Sequence, residues 1–373
     1  MRINYNVQAM NANLALNKAD NRVSQSIGKL SSGLKVASAK DSPSGYALSK
    51  RMNMQIEGIS RATQSSNDAI NIISIADGAL QEVSDMVNRI NELATKAANG
   101  TLTDDDRKLC QDEIDQLKAE IKRVADTTEF NGQTLMDGSF DVKGYTDNLD
   151  IKVATYADST SVGKYTLSAL ALTWEDDRLA ESNVTNPVTL TDADGNAVQD
   201  LTISAVDGSL LTMSNKDGDF SITLDVKENM ASTGTLKIDV TGLGPMDMQI
   251  GANEDQIISI RIPALSLKLM SMDDIDVSTQ DGADAAIADC KKGLAYVNDM
   301  RSRLGAYQNR LEHTVASLDV TNEALTGAYS GLVDADMAEE TVEYSTSQVI
   351  SQAAMSVLAQ ANDRPSQALQ LLQ

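Results

Sequence analysis

The sequence holds few of the residues that most enzymes, metal centres and disulfide frameworks require. Its 373 residues include one histidine, two cysteines, five prolines and one tryptophan. A single histidine excludes His-paired nucleophiles and sites with several His ligands. Cys110 and Cys290 are too few and too far apart in the chain for a disulfide framework, and a buried free thiol is the favoured interpretation of Cys290. We therefore expect no enzyme activity, no cofactor and no metal site.

Basic residues and long apolar runs are scarce as well. The chain has 31 Lys and Arg against 54 Asp and Glu, a net charge of −23. An acidic protein without a dominant basic surface does not favour nucleic acid as a partner. No segment approaches the roughly 18 apolar residues of a membrane span. The first ten residues also lack the apolar core of a signal peptide. We expect no nucleic-acid partner and no membrane insertion.

Aromatic residues make up 3% of the chain, so a core of Leu, Ile, Val, Ala and Met is expected, which suits helices packed along their length. Prolines are absent between Pro43 and Pro187 and again between Pro263 and Pro365, which permits long helices in both halves. In the N-terminal third, apolar residues recur at helical spacing, stop at a predicted break from Ala39 to Gly45, and recur again from Leu48 through Ala94. Asn99-Gly100 is predicted to end this helix, and Thr103 with Asp106 resembles a capping box for the next.

The last hundred residues show a repeat of 3.5 residues, typical of helices that pack along a seam. Arg301, Gln308 and Asn322 occupy seam positions where an apolar residue is expected. A break at Val333–Asp336 precedes a last helix, which Pro365 is predicted to end. The apolar positions of the repeat are Ile287, Cys290, Leu294, Val297, Leu304, Leu311, Val315, Leu318, Leu325 and Leu332.

The middle of the chain, from about 139 to 262, changes to an apolar period of two. Five runs are predicted to be strands, and a sixth, MDMQIGANEDQIISIRI, one further hairpin. Asp194-Gly195 and Asp217-Gly218 are predicted hairpin turns. The fold class is therefore mainly α, with an inserted β-rich outer domain and with N- and C-terminal helices that pair as a coiled coil or helical bundle. The five strand runs are KVATY, KYTLSALAL, DLTISAV, DFSITLDV and TLKIDV.

The segment that begins at Asp192 partly resembles a calcium-binding loop. Its sixth residue is Ala197 where the loop requires Gly, and its twelfth is Ile203 where a bidentate Glu closes the site. A hairpin turn is the favoured interpretation.

Charge differs between the two ends of the chain. Residues 1–61 hold nine basic and three acidic residues, whereas residues 314–363 hold eight acidic residues and no Lys or Arg. A basic amphipathic start and an acidic amphipathic end can pair, within one chain or between chains. A basic amphipathic helix can also lie on anionic lipid, but this one lacks Trp and Phe anchors, so a partner helix is favoured.

Both ends resemble bacterial flagellins. The resemblance covers about 1–138 and 244–373, is collinear, and leaves 139–243 without a match. At the N-terminal end it rests on LSSGLKVASAKDSPSGYALSKRM (30–52), NDAINIISIADGAL (67–80) and TEFNGQTLMDG (128–138). At the C-terminal end it rests on GPMDMQIGANEDQIISIRIPAL (244–265), RSRLGAYQNRLEHTVASL (301–318) and VISQAAMSVLAQAN (349–362).

The resemblance implies a self-assembling, non-enzymatic subunit of the bacterial flagellar filament, secreted by the flagellar type III export apparatus. The related hook–filament junction protein is the alternative. A terminal coiled-coil polymerisation domain is expected from 1–44 with 334–373. A helical core domain with a β-hairpin is expected from 45–138 with 244–333, and a variable outer domain from 139–243. Implied partners are further copies of the chain, the filament cap, and an export chaperone at the C-terminal helices.

The sequence and the resemblance together give two sets of candidate site residues. Apolar stripes on the terminal helices are expected to bury in the polymer. The resemblance also implies recognition by Toll-like receptor 5 through Asn88, Arg89, Glu92 and Leu93, with Glu113 on the next helix. Asn88 and Asn91 are shorter than the side chains usual at those positions. The polymerisation residues are Leu14, Val23, Ile27, Leu30, Leu34, Val349, Ala353, Val357 and Leu358.

Overall fold

The backbone of the computed structural model divides into two compact units. The first comprises Met1–Thr63, Gly251–Asn253 and Ala316–Gln373, and the second comprises Gln64–Ile250 and Glu254–Val315. The residues that the structure describes are 6–141, 143–148, 150–156, 163–167, 174–175, 178–179, 188–192, 197–207, 209–215, 221–227, 236–241 and 244–370.

Four helices contribute to the first unit. They are α1 (Val7–Ser32), the start of α2 (Pro43–Ala97), the end of α4 (Gln280–Val333) and α5 (Met337–Gln370). Helix α1 ends where Gly33 takes a left-handed conformation, with φ of 71°, and donates its N–H to Lys29. Glycine adopts this conformation without a steric penalty. The predicted break between α4 and α5 is confirmed.

Helix α5 does not end at Pro365, and that prediction is wrong. The helix continues to Gln370. Proline removes one backbone N–H, which leaves the carbonyl four residues earlier without its usual partner. That carbonyl belongs to Ala361, and it accepts a hydrogen bond of 2.8 Å from Asn6 Nδ2. This external donor replaces the one that the proline lacks.

The helical part of the second unit packs one continuous apolar core. The rest of α2, helix α3 (Asp104–Thr127) and the start of α4 surround it, with two short hairpins: β1 (Glu129–Phe130) with β2 (Gln133–Thr134), and β13 (Met246–Gln249) with β14 (Ile257–Ile260). The side chains of Ile73, Leu80 and Ile114 are fully buried there. The end of α2 near Asn99 is confirmed. So is the capping box, in which Thr103 and Asp106 each accept from the other's backbone N–H.

An antiparallel sheet of eight strands forms a second core. Its order is β3-β12-β5-β8-β9-β10-β11-β4. Buried residues alternate along β11 and β12, as a sheet with one covered face requires. The remaining bounds are β3 (Lys143–Thr146), β4 (Ile151–Tyr156), β5 (Gly163–Leu167), β6 (Trp174–Glu175), β7 (Arg178–Leu179), β8 (Val188–Asp192), β9 (Ala197–Asp207), β10 (Leu210–Asn215), β11 (Ser221–Val226) and β12 (Leu236–Thr241).

Each of the five predicted strand runs overlaps an observed strand, and the predicted hairpin of 246–262 is confirmed. Strands β8 and β10 were not predicted, although Val188 and Leu190 in β8, and Leu211 and Met213 in β10, alternate with polar residues. The shorter strands β1, β2, β3, β6 and β7 were not predicted either, and they have no apolar alternation. The predicted turns at Asp194-Gly195 and Asp217-Gly218 lie outside the described residues, as does the middle of the segment compared with a calcium loop.

A buried ion pair lies where the chain leaves the helical core for the sheet and later returns. Arg261 Nη2 lies 3.1 Å from Asp141 Oδ1, and both side chains are about nine-tenths buried. Beside them the backbone N–H of Ile262 donates to the carbonyl of Phe140. Gly244 has a φ of 132°, and a Cβ there would lie 1.9 Å from the Asp141 carbonyl oxygen. The chain segment that precedes the sheet, at Asp141, is therefore fixed to the segment that follows it, at Gly244 and Arg261.

Asp141→Asn is expected to lower the free energy of unfolding of the second unit by about 3 kcal/mol, because it removes the negative charge that faces a buried guanidinium. The matched control is Asp150→Asn, whose partner Lys227 at 3.3 Å is exposed. Urea unfolding of the monomer followed by circular dichroism measures both. Equal losses in the two variants would contradict a special role for the buried pair.

Candidate assembly surface and receptor-binding face

Helices α1 and α5 pack antiparallel along most of the length of α1. Asn6 contacts Ala361 at one end, and Leu34 bridges to Asp334 at the other. Between these ends, Ser351 Oγ donates to Asp20 Oδ1 at 2.7 Å. Lys29 Nζ lies 3.2 Å from Glu340 Oε2. The N-terminal basic helix and the C-terminal acidic helix therefore pair within one chain.

The buried seam between α1 and α5 is built from small residues. On α1 these are Ala12, Ala19 and Ser26, which recur every seventh residue. Small side chains at a seam allow two helix backbones to approach closely, and they bury little apolar area. The facing buried residues of α5 are Ser347, Ser351 and Ala361.

The larger apolar residues expected to bury are mostly exposed in the single chain. Leu14 is 58% exposed, Ile27 49%, Val349 65% and Val357 54%. Ala353 is also exposed, while Val23, Leu30, Leu34 and Leu358 are half-buried. Reasoning from the sequence identified the stripes but missed the Ala and Ser seam, because it weighted large aliphatic residues. The available signal was the seven-residue recurrence of small residues at 12, 19 and 26.

Ala19→Leu is expected to weaken the α1–α5 pairing by about 1–3 kcal/mol, because a larger side chain overpacks a tight seam. The matched control is Ala15→Leu on the same helix, where residue 15 is exposed. Limited proteolysis of the two termini in the monomer measures the pairing. If both variants are cleaved at the wild-type rate, the seam does not hold these helices together.

A second set of candidate residues lies on neighbouring faces of α2 and α3. Arg89 Nη2 lies 2.8 Å from Glu113 Oε1 on α3, and Arg89 Nη1 lies 3.0 Å from Glu92 Oε2 one turn along α2. All three side chains are about half or more exposed. The hydrogen bond to Glu113, then that to Glu92, raises the pKa of Arg89 above its ordinary value. The guanidinium is therefore charged and oriented by two carboxylates.

The other residues of this set divide between the surface and the core. Asn88 is exposed beside Arg89. Leu93 is 3% exposed and belongs to the helical core, so the apolar surface contact expected from it is not available in this structure. Helical geometry is the reason, since Leu93 lies one turn from Ile90 and Ala97 on the covered face of α2. Asn91 is half-buried, and its Oδ1 has no hydrogen-bond partner among the described residues.

The two cysteines are buried and free. Burial raises the pKa of Cys290 to about 11, which disfavours the reactive thiolate and agrees with the packing role predicted for it. Within the described part of the chain, no helix is long and apolar enough to cross a membrane.

Comparisons with known proteins agree with these features. The family model of the bacterial flagellin N-terminal helical region matches residues 3–141. The model of the C-terminal helical region matches residues 287–372. Flagellin D of Vibrio cholerae is 34% identical over 394 aligned residues, with 99% of each chain covered. A flagellin of Clostridium tyrobutyricum is 34% identical, with 98% of this chain and all of that one covered.

Among solved structures, Bacillus cereus flagellin shows 17% identity and a TM-score of 0.35, covering 68% of this chain and 88% of that one. This likeness is too low to carry an argument.

The chain begins and ends with helices that pair with each other, and a β-rich region is inserted between them in the sequence. It belongs to the bacterial flagellin family. It is a structural subunit that polymerises into the extracellular flagellar filament. Both relatives are named flagellins, and each aligns with this chain over nearly its whole length. This supports the filament role over that of the junction protein.

Proposed function

We propose that polymerisation proceeds through the exposed apolar residues of α1 and α5, and that further copies of this chain cover them. The exposure of Val349 at 65% and Leu14 at 58% carries this proposal. An aliphatic side chain that becomes fully buried contributes roughly 1.5–3 kcal/mol. Because the same interface repeats along a filament, modest contributions from each subunit multiply.

This proposal assigns the three expected domains their roles. Residues 1–44 with 334–373 polymerise, and 45–138 with 244–333 form the helical layer around them. Residues 139–243 form an outer domain that faces solvent. The outer domain is supported by the separate apolar core of its sheet, which needs no contribution from the terminal helices.

Removal of residues 1–40 or 334–373 is expected to abolish filament formation, because it removes one partner of the α1–α5 pair with its exposed stripe. The matched control replaces 139–243 with a short Gly-Ser linker and is expected to retain assembly. Electron microscopy after seeding measures both. Filaments from either terminal truncation, or none from a folded outer-domain deletion, would contradict these assignments.

We also propose that the same C-terminal stripe binds an export chaperone before assembly, and that the chain is secreted through the flagellar type III apparatus and added beneath the filament cap. Exposed apolar residues on a helix are an aggregation hazard, and a groove on a partner can cover them. Residues 334–373 are therefore the expected binding segment.

The exposed surface formed by Asn88, Arg89, Glu92 and Glu113 supports a second role, as a ligand of Toll-like receptor 5. Arginine is enriched among the residues that dominate binding energy at interfaces, and its planar guanidinium makes paired hydrogen bonds. Here the guanidinium is exposed and oriented by Glu92 and Glu113. Asn88 extends this surface, while Leu93 supports it from the core. The monomer is the expected ligand, since neighbouring subunits are expected to cover this face in the filament.

Arg89→Ala is expected to weaken binding of the monomer to the receptor ectodomain by at least about fivefold, the effect of losing an interface anchor. Arg123→Ala is the matched control. Arg123 is an exposed arginine on α3, and its ion pair is with Glu120, one turn earlier on the same helix. Titration by surface plasmon resonance measures both. Wild-type affinity in Arg89→Ala would remove this residue from the interface.

A further inference from the structure

Pro365 creates an unusual backbone position inside α5. The helix runs through it to Gln370, and it is the one proline in that helix. Because proline has no N–H, the carbonyl of Ala361 lacks the donor that an α-helix normally supplies four residues later. Ala361 is only 7% exposed. A buried carbonyl left without any donor is costly.

Asn6 supplies that donor and at the same time caps α1. Its Nδ2 donates to the Ala361 carbonyl at 2.8 Å. Its Oδ1 accepts from the backbone N–H of Ala9 at 3.1 Å, which is the N-cap contact of α1. One side-chain amide therefore satisfies an unpaired donor on one helix and an unpaired acceptor on the other. Aspartate lacks the donor, and serine caps well but has a shorter side chain.

We propose that Asn6 and Pro365 together set the register in which α1 pairs with α5. Pro365 frees one interior carbonyl of α5, and Asn6 is the side chain placed to donate to it. If the pairing slips by a residue or a turn, the amide faces carbonyls that already accept helix hydrogen bonds, and Ala361 is left unpaired. This proposal rests on the proposed role of α1 and α5 in polymerisation and names positioning residues for it.

Few contacts between α1 and α5 are short enough to select a register. Ser351–Asp20 and the Leu34–Asp334 bridge are two of them, and Asn6–Ala361 is the one at the opposite end of the pair from that bridge. Alanine and serine seams lack the large knobs whose shape fixes register in most coiled coils. The pairs Lys29–Glu340 and Arg364–Gln8 involve a lysine and an arginine, and both have long flexible side chains that can follow a small shift. The Asn6–Ala361 bond joins a short side chain to a backbone atom and tolerates little displacement.

A double-mutant cycle in the full-length chain tests the proposal, with the critical concentration for seeded polymerisation as the readout. Asn6→Ser keeps the cap but is too short to reach Ala361, so the critical concentration is expected to rise on the order of tenfold. In the Pro365→Ala background the restored N–H pairs with the Ala361 carbonyl. There the same Asn6→Ser change is expected to have less than about a threefold effect.

The matched control is Asn13→Ser, an exposed position of α1 whose side chain accepts from Asn17 of the same helix. It is expected to polymerise like the wild type. Thermal unfolding of each monomer verifies that the variants fold. An equal effect of Asn6→Ser in both backgrounds, or no effect in either, would overturn the proposal.

The same polymerisation assay, applied also to the chain without residues 334–373, separates this proposal from the one on which it rests. If the chain without 334–373 polymerises, the assembly role of α5 is wrong. If that truncation fails to polymerise while Asn6→Ser behaves like the wild type, the assembly role stands and the register contact is refuted.

Discussion

The close approach of α1 and α5 through alanine and serine is the constraint on which the assembly chemistry depends. A seam of small residues buries little apolar area, so the pairing within one chain gains little from the hydrophobic effect. Its geometry rests instead on short polar contacts such as Ser351 to Asp20 and Asn6 to the Ala361 carbonyl. Several large aliphatic residues, among them Leu14, Ile27 and Val349, are left at the surface. A helix pair of this kind gains most of its stabilisation when other copies cover those residues.

The second unit is organised in the opposite way. Its helical core buries large aliphatic residues completely, with Ile90 and Ile121 at 0–1% exposure, and its sheet has a separate apolar cluster. The Asp141–Arg261 pair and the close backbone approach at Gly244 hold the two ends of the sheet region together. The stability of this unit is therefore contained within one chain. Because the second unit has its own buried core, the monomer can fold while the apolar residues of α1 and α5 stay exposed for polymerisation.

The sequence predicts the long elements well because their signals are local and repeated. The boundaries at Asn99, Thr103 and Val333–Asp336 follow from turn and cap chemistry within a few residues. Strands β8 and β10 escaped prediction because each offers only two alternating apolar residues, Val188 with Leu190 and Leu211 with Met213, which is a weak local signal. The end of α5 was misplaced for a different reason. The rule that proline ends a helix assumes that the freed carbonyl stays unpaired, and the donor that pairs it, Asn6, lies 355 residues away.

At the candidate receptor-binding site, too, side-chain contacts and burial could not be predicted from the sequence. Resemblance placed Arg89, Glu92 and Glu113 on one surface, and their mutual contacts required the structure. Leu93 was grouped with them by its place in a motif, although helical geometry assigns it to the core. The two carboxylates hold the guanidinium in one orientation, so a partner that approaches this face would lose less side-chain entropy on binding. The same carboxylates compete with any acidic group of that partner, so a partner that also donates hydrogen bonds to Glu92 and Glu113 fits this face better than one that offers a carboxylate alone.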